Sequence, residues 1–263
     1  GGFSSKSGSI EDYSGIYSQL VIMVFMFLAA INFVLHFRLL KGDMKAYVFN
    51  LEFRVFTYTL LFSGLIITIF IWGNHYSSLA QSLRHGAFQT VSILTTTGFA
   101  TADYQLWGAL PLIVLLGCMV CGGMAGSTSG GLKSLRIVLL AKLASRELKM
   151  LVHPKAVFPL KMDKKVISEE IIRGVCGFVL LYLGLIFIMT ILLSTAEMDI
   201  LTALGSVVAC TGNIGPGLGE TGAMNNYAHL SDLVKWLLSL CMFLGRLEIY
   251  VAMIFLFPAF WSQ

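Results

Sequence analysis

The sequence predicts an all-α membrane protein built from repeated units of helix, short helix with polar loop, and helix. Three observations predict it. Of 263 residues, 57% are hydrophobic and only 12% charged, where an ordinary soluble domain carries about 25% charged residues. Long uncharged runs recur along the chain, so lipid must be the solvent for much of this surface. Between pairs of those runs lie two shorter apolar segments, each ending in Thr, Gly or Asn.

The elements follow in order. Ile16 to Leu35 is uncharged for twenty residues, enough to cross a hydrocarbon core of about 30 Å at about 1.5 Å per residue. Val55 to Trp72 is a second run, and Tyr104 to Leu132 a third, unusually long and broken by glycines. Gly174 to Ala196 is a fourth. Leu233 to Trp261 has spanning length but carries Arg246 and Glu248 near its middle. Ser82 to Leu94 and Ile200 to Cys210 are too short to span and read as re-entrant or buried helices. Each lies between two spans, so the unit occurs twice, with Gly1 to Ser4 and the span at Ile16 as the tail of another copy. The opening Gly1-Gly2-Phe3-Ser4 has no initiator Met and no leader-type segment, and reads as the interior of a longer chain.

Charge sets the expected orientation. Arg38, Lys41, Lys45 and Arg54 follow the first span; Lys142, Arg146, Lys149, Lys155, Lys161, Lys164, Lys165 and Arg173 follow the third. The opposite connections hold Glu197, Asp199, Glu220 and Asp232. Basic loops face the cytoplasm, so the short helices enter from outside. A net charge of +4, gathered in short loops, points to no nucleic-acid partner. Cys118, Cys121, Cys176, Cys210 and Cys241 all sit in apolar stretches and read as small buried hydrophobes.

The polar loops carry the chemistry. Irregular backbone at membrane depth belongs where it lines a cavity, and carbonyls aimed at an axis replace the hydration shell of a monovalent cation. Thr95-Thr96-Thr97-Gly98-Phe99-Ala100-Thr101 follows one short helix and Gly212-Asn213-Ile214-Gly215-Pro216-Gly217 the other. Ser82 to Gly98 and Asp199 to Gly215 are the same distance apart. The helix before each loop directs its partly negative end at the cation. The plainer reading of either run alone is a tight turn or a helix-packing contact.

Gly122, Gly123, Gly126, Gly130 and Gly131 with Ser127, Thr128 and Ser129 cannot hold a straight helix, each glycine costing about 1 kcal/mol there relative to alanine. The run misses the phosphate-binding loop register by one residue, because Leu132 intervenes before Lys133, and no strand precedes it. Arg246 is a functional candidate because a central membrane charge costs about 2.5–3.5 kcal/mol; the alternative is an ion pair to another helix. The histidines show no metal-ligand spacing and no catalytic motif is present, so no enzyme activity and no cofactor are expected.

The runs TTTGFATADY at Thr95 to Tyr104, GGMAGSTSGGLKSLR at Gly122 to Arg136, GNIGPGLG at Gly212 to Gly219 and GRLEIY at Gly245 to Tyr250 resemble Trk-type members of the Trk/Ktr/HKT superfamily. The opening GGFS and INFVLHFRLL at Ile31 to Leu40 resemble the second filter and its following helix. The resemblance covers the C-terminal portion of such a protein and implies four helix–pore-loop–helix units around one potassium pathway, as in potassium channels. Residues 1–52 then end the second repeat, 53–150 form the third with its glycine-rich intramembrane loop, and 151–263 form the cytoplasmic connection and the fourth. The implied filter residues are Gly2 and Phe3; Thr95, Thr96, Thr97, Gly98 and Phe99; and Asn213, Ile214 and Gly215, with Gly212 as the competing central glycine of the last loop. Potassium would meet Thr96, Thr97, Gly98, Asn213, Ile214 and Gly215. Glycine at each visible centre resembles potassium-selective members, and serine at one such place marks sodium-passing relatives.

The resemblance also implies a movable gate, made of the glycine-rich run and Arg246, whose charge repels potassium and whose guanidinium is placed to bond the run's carbonyls. Close helix packing is the plainer reading of the run. Implied partners are a second copy of the chain and a cytosolic nucleotide-binding regulatory subunit; the implied location is the bacterial inner membrane. The basic stretch from Lys142 to Arg173 is either orienting charge or the docking surface for that subunit. The competing function is an ion-coupled symporter with a midplane site in broken helices; only Glu248 offers a buried coupling acid.

Overall fold

The computed structural model describes residues 4–6, 8–11, 15–163, 165–196, 198–254 and 258–261. Helices α1 (Ile16–Ala29), α2 (Phe33–Leu40) and α3 (Lys45–Phe49) lead into a helix–short helix–helix unit formed by α4 (Leu51–Ile71), α5 (Leu79–Leu94) and α6 (Ala109–Cys121). After α7 (Ser134–Val152) a hairpin of β1 (Lys161–Met162) and β2 (Lys165–Val166) precedes α8 (Glu169–Ser194) and α9 (Ile200–Thr211). The chain closes through α10 (Asp232–Arg246), α11 (Ile249–Ile254) and α12 (Pro258–Trp261).

The repeat is visible in the packing. α5 lies against α4 and α6, and α9 against α8 and α10. The outgoing helix of one unit also leans on the next unit's short helix, α1 on α5 and α6 on α9. α5 is enclosed over its C-terminal part, from His85 to Leu94, and α9 over almost its whole length, from Thr202 to Thr211. Their flanking helices instead turn a two-sided face to their surroundings. In α4, Phe56, Ser63, Gly64, Ile67, Thr68 and Ile71 are buried, Gly64 and Thr68 against Thr90 and Gly86 of α5, while Tyr58, Leu61, Phe62, Leu65 and Ile69 are exposed, as lipid contact requires. Asn50 starts α4 by accepting the Phe53 N–H at 2.7 Å.

Three predicted spans are interrupted. Among the described residues two helices, α4 and α8, are long and apolar enough to cross a membrane, or three if the bent pair α1–α2 counts as one. The expected run from Ile16 to Leu35 bends by 99° between α1 and α2. There Asn32 caps α2 by accepting the Val34 N–H at 2.8 Å, and the Ala29 and Ala30 carbonyls bond Thr128 and Met124 instead of a next helical turn. The expected run from Tyr104 to Leu132 is helical only in α6 and a short 3-10 turn at Tyr104–Trp107. The run from Leu233 to Trp261 breaks where Glu248 takes a left-handed backbone, φ 54°.

Candidate functional site

The two polar loops repeat each other atom for atom, 117 positions apart. Thr95 N–H bonds the Val91 carbonyl and Gly212 N–H that of Val208, both at 2.9 Å. Thr96 then bonds Ile93 and Asn213 bonds Cys210, both at 3.0 Å; Thr97 bonds Ser92 at 2.9 Å and Ile214 bonds Ala209 at 2.8 Å. This is the Schellman pattern that closes a helix with one left-handed residue. That residue is Thr96 (φ 57°) in one loop and Asn213 (φ 54°) in the other. Two positions on, Gly98 (φ 84°) and Gly215 (φ 112°) reverse the chain again. Gly215, not Gly212, is therefore the counterpart of Gly98.

The loops touch. A Cβ added to Gly98 would overlap the Ile214 carbonyl and come within 2.8 Å of Pro216 Cδ. Only glycine meets both the backbone angle and the space. Hydroxyls hold the loops from behind: Ser92 Oγ donates to Phe99 O at 2.6 Å, Tyr227 to Gly215 O at 2.8 Å, and Tyr104 to Gly217 O at 2.6 Å. Among the described residues no hydrogen bond reaches the carbonyls of Thr96, Thr97, Gly98, Asn213 or Ile214, the arrangement that coordination of a dehydrated cation needs. Gly2 and Phe3 lie outside the described residues; Ile10 N–H bonds Ala100 O at 3.0 Å and Ala100 N–H bonds Ser9 Oγ at 3.1 Å, so Ser9 and Ile10 dock where the Thr95–Phe99 loop ends.

Below the loops lies a cavity of about 420 Å³ lined by Thr95, Thr96, Thr97, Thr128, Asn213, Gly215, Met242 and Arg246. The glycine-rich run crosses one end of it. Ser129 Oγ donates to Thr95 O at 2.9 Å and Gly130 N–H to Thr96 Oγ1 at 2.8 Å. Gly130 sits so close to the Gly212 carbonyl that a Cβ there would overlap it. The run is tied on its other flank as well: Met124 N–H bonds Ala30 O, Thr128 bonds Ala29 O, and the Gly126 carbonyl accepts from Phe33. Gly122, Gly123 and Gly131 close its base, with Ser134 N–H on Gly123 O at 2.9 Å and Ser127 Oγ on Met124 O at 2.6 Å.

Arg246 Nη1 donates to Thr128 O at 3.1 Å. The same arginine also lines a smaller cavity of about 170 Å³ with Ser127, Ser129, Gly130, Gly131, Lys133, Arg136 and Glu248. The run between Ser127 and Gly131 therefore faces both spaces.

Sequence reasoning missed several members of this site. Glu52, 4% exposed, accepts the Ala125 N–H at 2.7 Å and holds the glycine-rich run to the start of α4. Its signal was a lone carboxylate opening an apolar run. Ser92, Tyr104 and Tyr227 gave no signal, because a hydroxyl behind a loop is indistinguishable in sequence from any other. Arg136 pairs with Glu248 at 2.8 Å, a partner 112 positions away.

Known proteins resemble this arrangement throughout. The profile of the family TrkH, described as cation transport protein, matches residues 1–262. The Trk system potassium uptake protein TrkH of Salmonella typhimurium is 38% identical over all of this chain and 54% of its own length, and that of Escherichia coli K12 matches equally. The chain thus spans about half the length of these curated relatives. The crystal structure of the potassium transporter TrkH from Vibrio parahaemolyticus superposes with a TM-score of 0.92 at 36% identity, over 99% of this chain and 56% of that one. With the family model matching nearly the whole chain and the fold shared with a solved member, the chain belongs to the TrkH family of cation transport proteins.

Proposed function

We propose that this chain carries half of a potassium-conducting pore in an integral membrane protein, with the loops at Thr95–Phe99 and Asn213–Gly215 as two walls of its selectivity filter. The observation that carries the reading is the contact of Gly98 with the Ile214 carbonyl, flanked by backbone carbonyls that no hydrogen bond engages among the described residues. Potassium is the substrate, and Thr96, Thr97, Gly98, Asn213 and Ile214 supply its oxygens. Gly215 contributes less, because Tyr227 already occupies its carbonyl.

The run from Gly122 to Gly131 acts as the gate, closed by bonds to Thr95, Thr96 and Arg246. Residues 53–150 and 151–263 are then the third and fourth pore repeats, with 1–52 ending the second. The basic ends of α7 and the connection after it face the cytoplasm of a bacterium whose inner membrane holds the protein. Family resemblance supports a homodimer and a cytosolic nucleotide-binding subunit, the latter seated on α7, which exposes Lys149 and pairs Arg146 with Glu169.

The test is growth. The full-length protein, expressed in a bacterium lacking its own potassium uptake systems, restores growth at low external potassium. Failure to do so, with the protein present in the membrane, overturns the reading.

A further inference from the structure

We propose that Glu248 is the positioning residue for Arg246, and that its ion pair with Arg136 transmits movement of α7 to the gate. The inference rests on the reading of Gly122–Gly131 and Arg246 as a gate.

The starting observation is a backbone that should not persist unaided. α10 ends at Arg246, and two residues later Glu248 is left-handed, φ 54°, before α11 begins at Ile249. That conformation is costly for a non-glycine residue. Arg136 holds the side chain of this one, its Nη2 donating to Glu248 Oε2 at 2.8 Å. Arg136 is itself fixed twice. Its Nη1 donates to Leu132 O at 3.3 Å, and its guanidinium stands 3.8 Å from the ring centroid of Phe178 on α8. Just beyond the break, Tyr250 donates to Gly174 O at 3.1 Å and meets Phe178 edge-on, so α11 is seated on α8.

These contacts close a ring. Thr128 accepts from Arg246; the chain runs from Thr128 through Gly131 into α7; Arg136 of α7 holds Glu248; and Glu248 lies two residues from Arg246. Two side-chain bonds therefore join the gate run to the fourth repeat, one directly and one through α7. α7 extends nineteen residues to Val152 and carries Lys142, Arg146 and Lys149 toward its far end. A displacement of that far end pulls on Glu248, relaxes the helix break, and withdraws Arg246 from the Thr128 carbonyl. The geometry makes α7 a lever and the Arg136–Glu248 pair its linkage.

The experiment is rubidium uptake into liposomes holding the full-length protein, normalised to inserted protein. The variants are Arg246→Ala, Glu248→Gln, Arg136→Gln, the double variant Glu248→Gln/Arg246→Ala, and the exchanged pair Arg136→Glu/Glu248→Arg. Glu248→Gln is expected to raise uptake about five-fold, to add nothing to Arg246→Ala, and the exchanged pair to return uptake to within about two-fold of wild type. If Glu248→Gln fails to insert, Arg136→Gln carries the same expectation. Uptake that rises in Arg246→Ala but stays at wild type in both Gln variants overturns the linkage and leaves the gate standing. Effects that multiply in the double variant also overturn it. No rise in Arg246→Ala removes the gate reading itself, and the linkage with it.

Discussion

Gly98, in the loop after α5, lies directly against the backbone carbonyl of Ile214, in the loop after α9, with no room for even a Cβ between them. The contact joins residues 116 positions apart, one place out of register in two loops that share their helix-closing hydrogen bonds, since the counterpart of Ile214 is Thr97. The two loops thus set each other's spacing, and a change in either loop's backbone reaches the other without passing through the helices.

Arg246→Ala should raise ion flux. The guanidinium bond to the Thr128 carbonyl is charge-assisted, worth about 1.5–3 kcal/mol, so its loss shifts the closed-to-open balance about ten-fold or more. Rubidium efflux from liposomes checks this. Equal or lower flux at normal expression contradicts it.

Tyr227→Phe removes one hydroxyl and leaves the ring in place. The Gly215 carbonyl loses its 2.8 Å donor, and the Asn213–Gly215 loop gains freedom that the Thr95–Phe99 loop, held by Ser92 at Phe99, does not. Discrimination between rubidium and sodium should fall a few-fold while total rubidium flux changes little. Paired tracer uptake for the two ions measures it.

Glu52→Ala should destabilise the protein, because the Ala125 N–H is left without its acceptor at a buried site, at a cost of about 1–3 kcal/mol. The thermal midpoint of the purified full-length protein should drop by about 2–4 °C for each kcal/mol lost. Glu170→Ala, at an exposed position in the first turn of α8, serves as the control and should stay within about 0.5 kcal/mol of wild type.

The short helices and their loops were readable because their cause is local. An apolar segment too short to span, closed by a Thr or Asn and then a glycine, dictates a buried helix with an irregular end, and the equal spacing to Gly98 and Gly215 fixed the register. The helix breaks were not readable, because their causes are distant. Ala30 ends a helix since Met124 claims its carbonyl at 3.0 Å, and nothing near Ala30 in the chain announces that. Glu248 breaks another through a partner on α7, in a residue type that gives no turn signal. Composition likewise marked Arg246 as costly, but only the fold supplied Thr128 as its acceptor.

The central claim is that the Thr95–Phe99 loop selects the ion. Its most direct test compares rubidium and sodium uptake into liposomes holding full-length wild type or Gly98→Ser, both verified as inserted. The serine Cβ must displace the Ile214 carbonyl and adopt a φ of 84°, a left-handed angle costing an L-residue about 1–2 kcal/mol. The expected result is rubidium uptake well above sodium in wild type and a clear loss of that preference in the variant. An unchanged preference in Gly98→Ser would contradict the claim and move the selective site elsewhere.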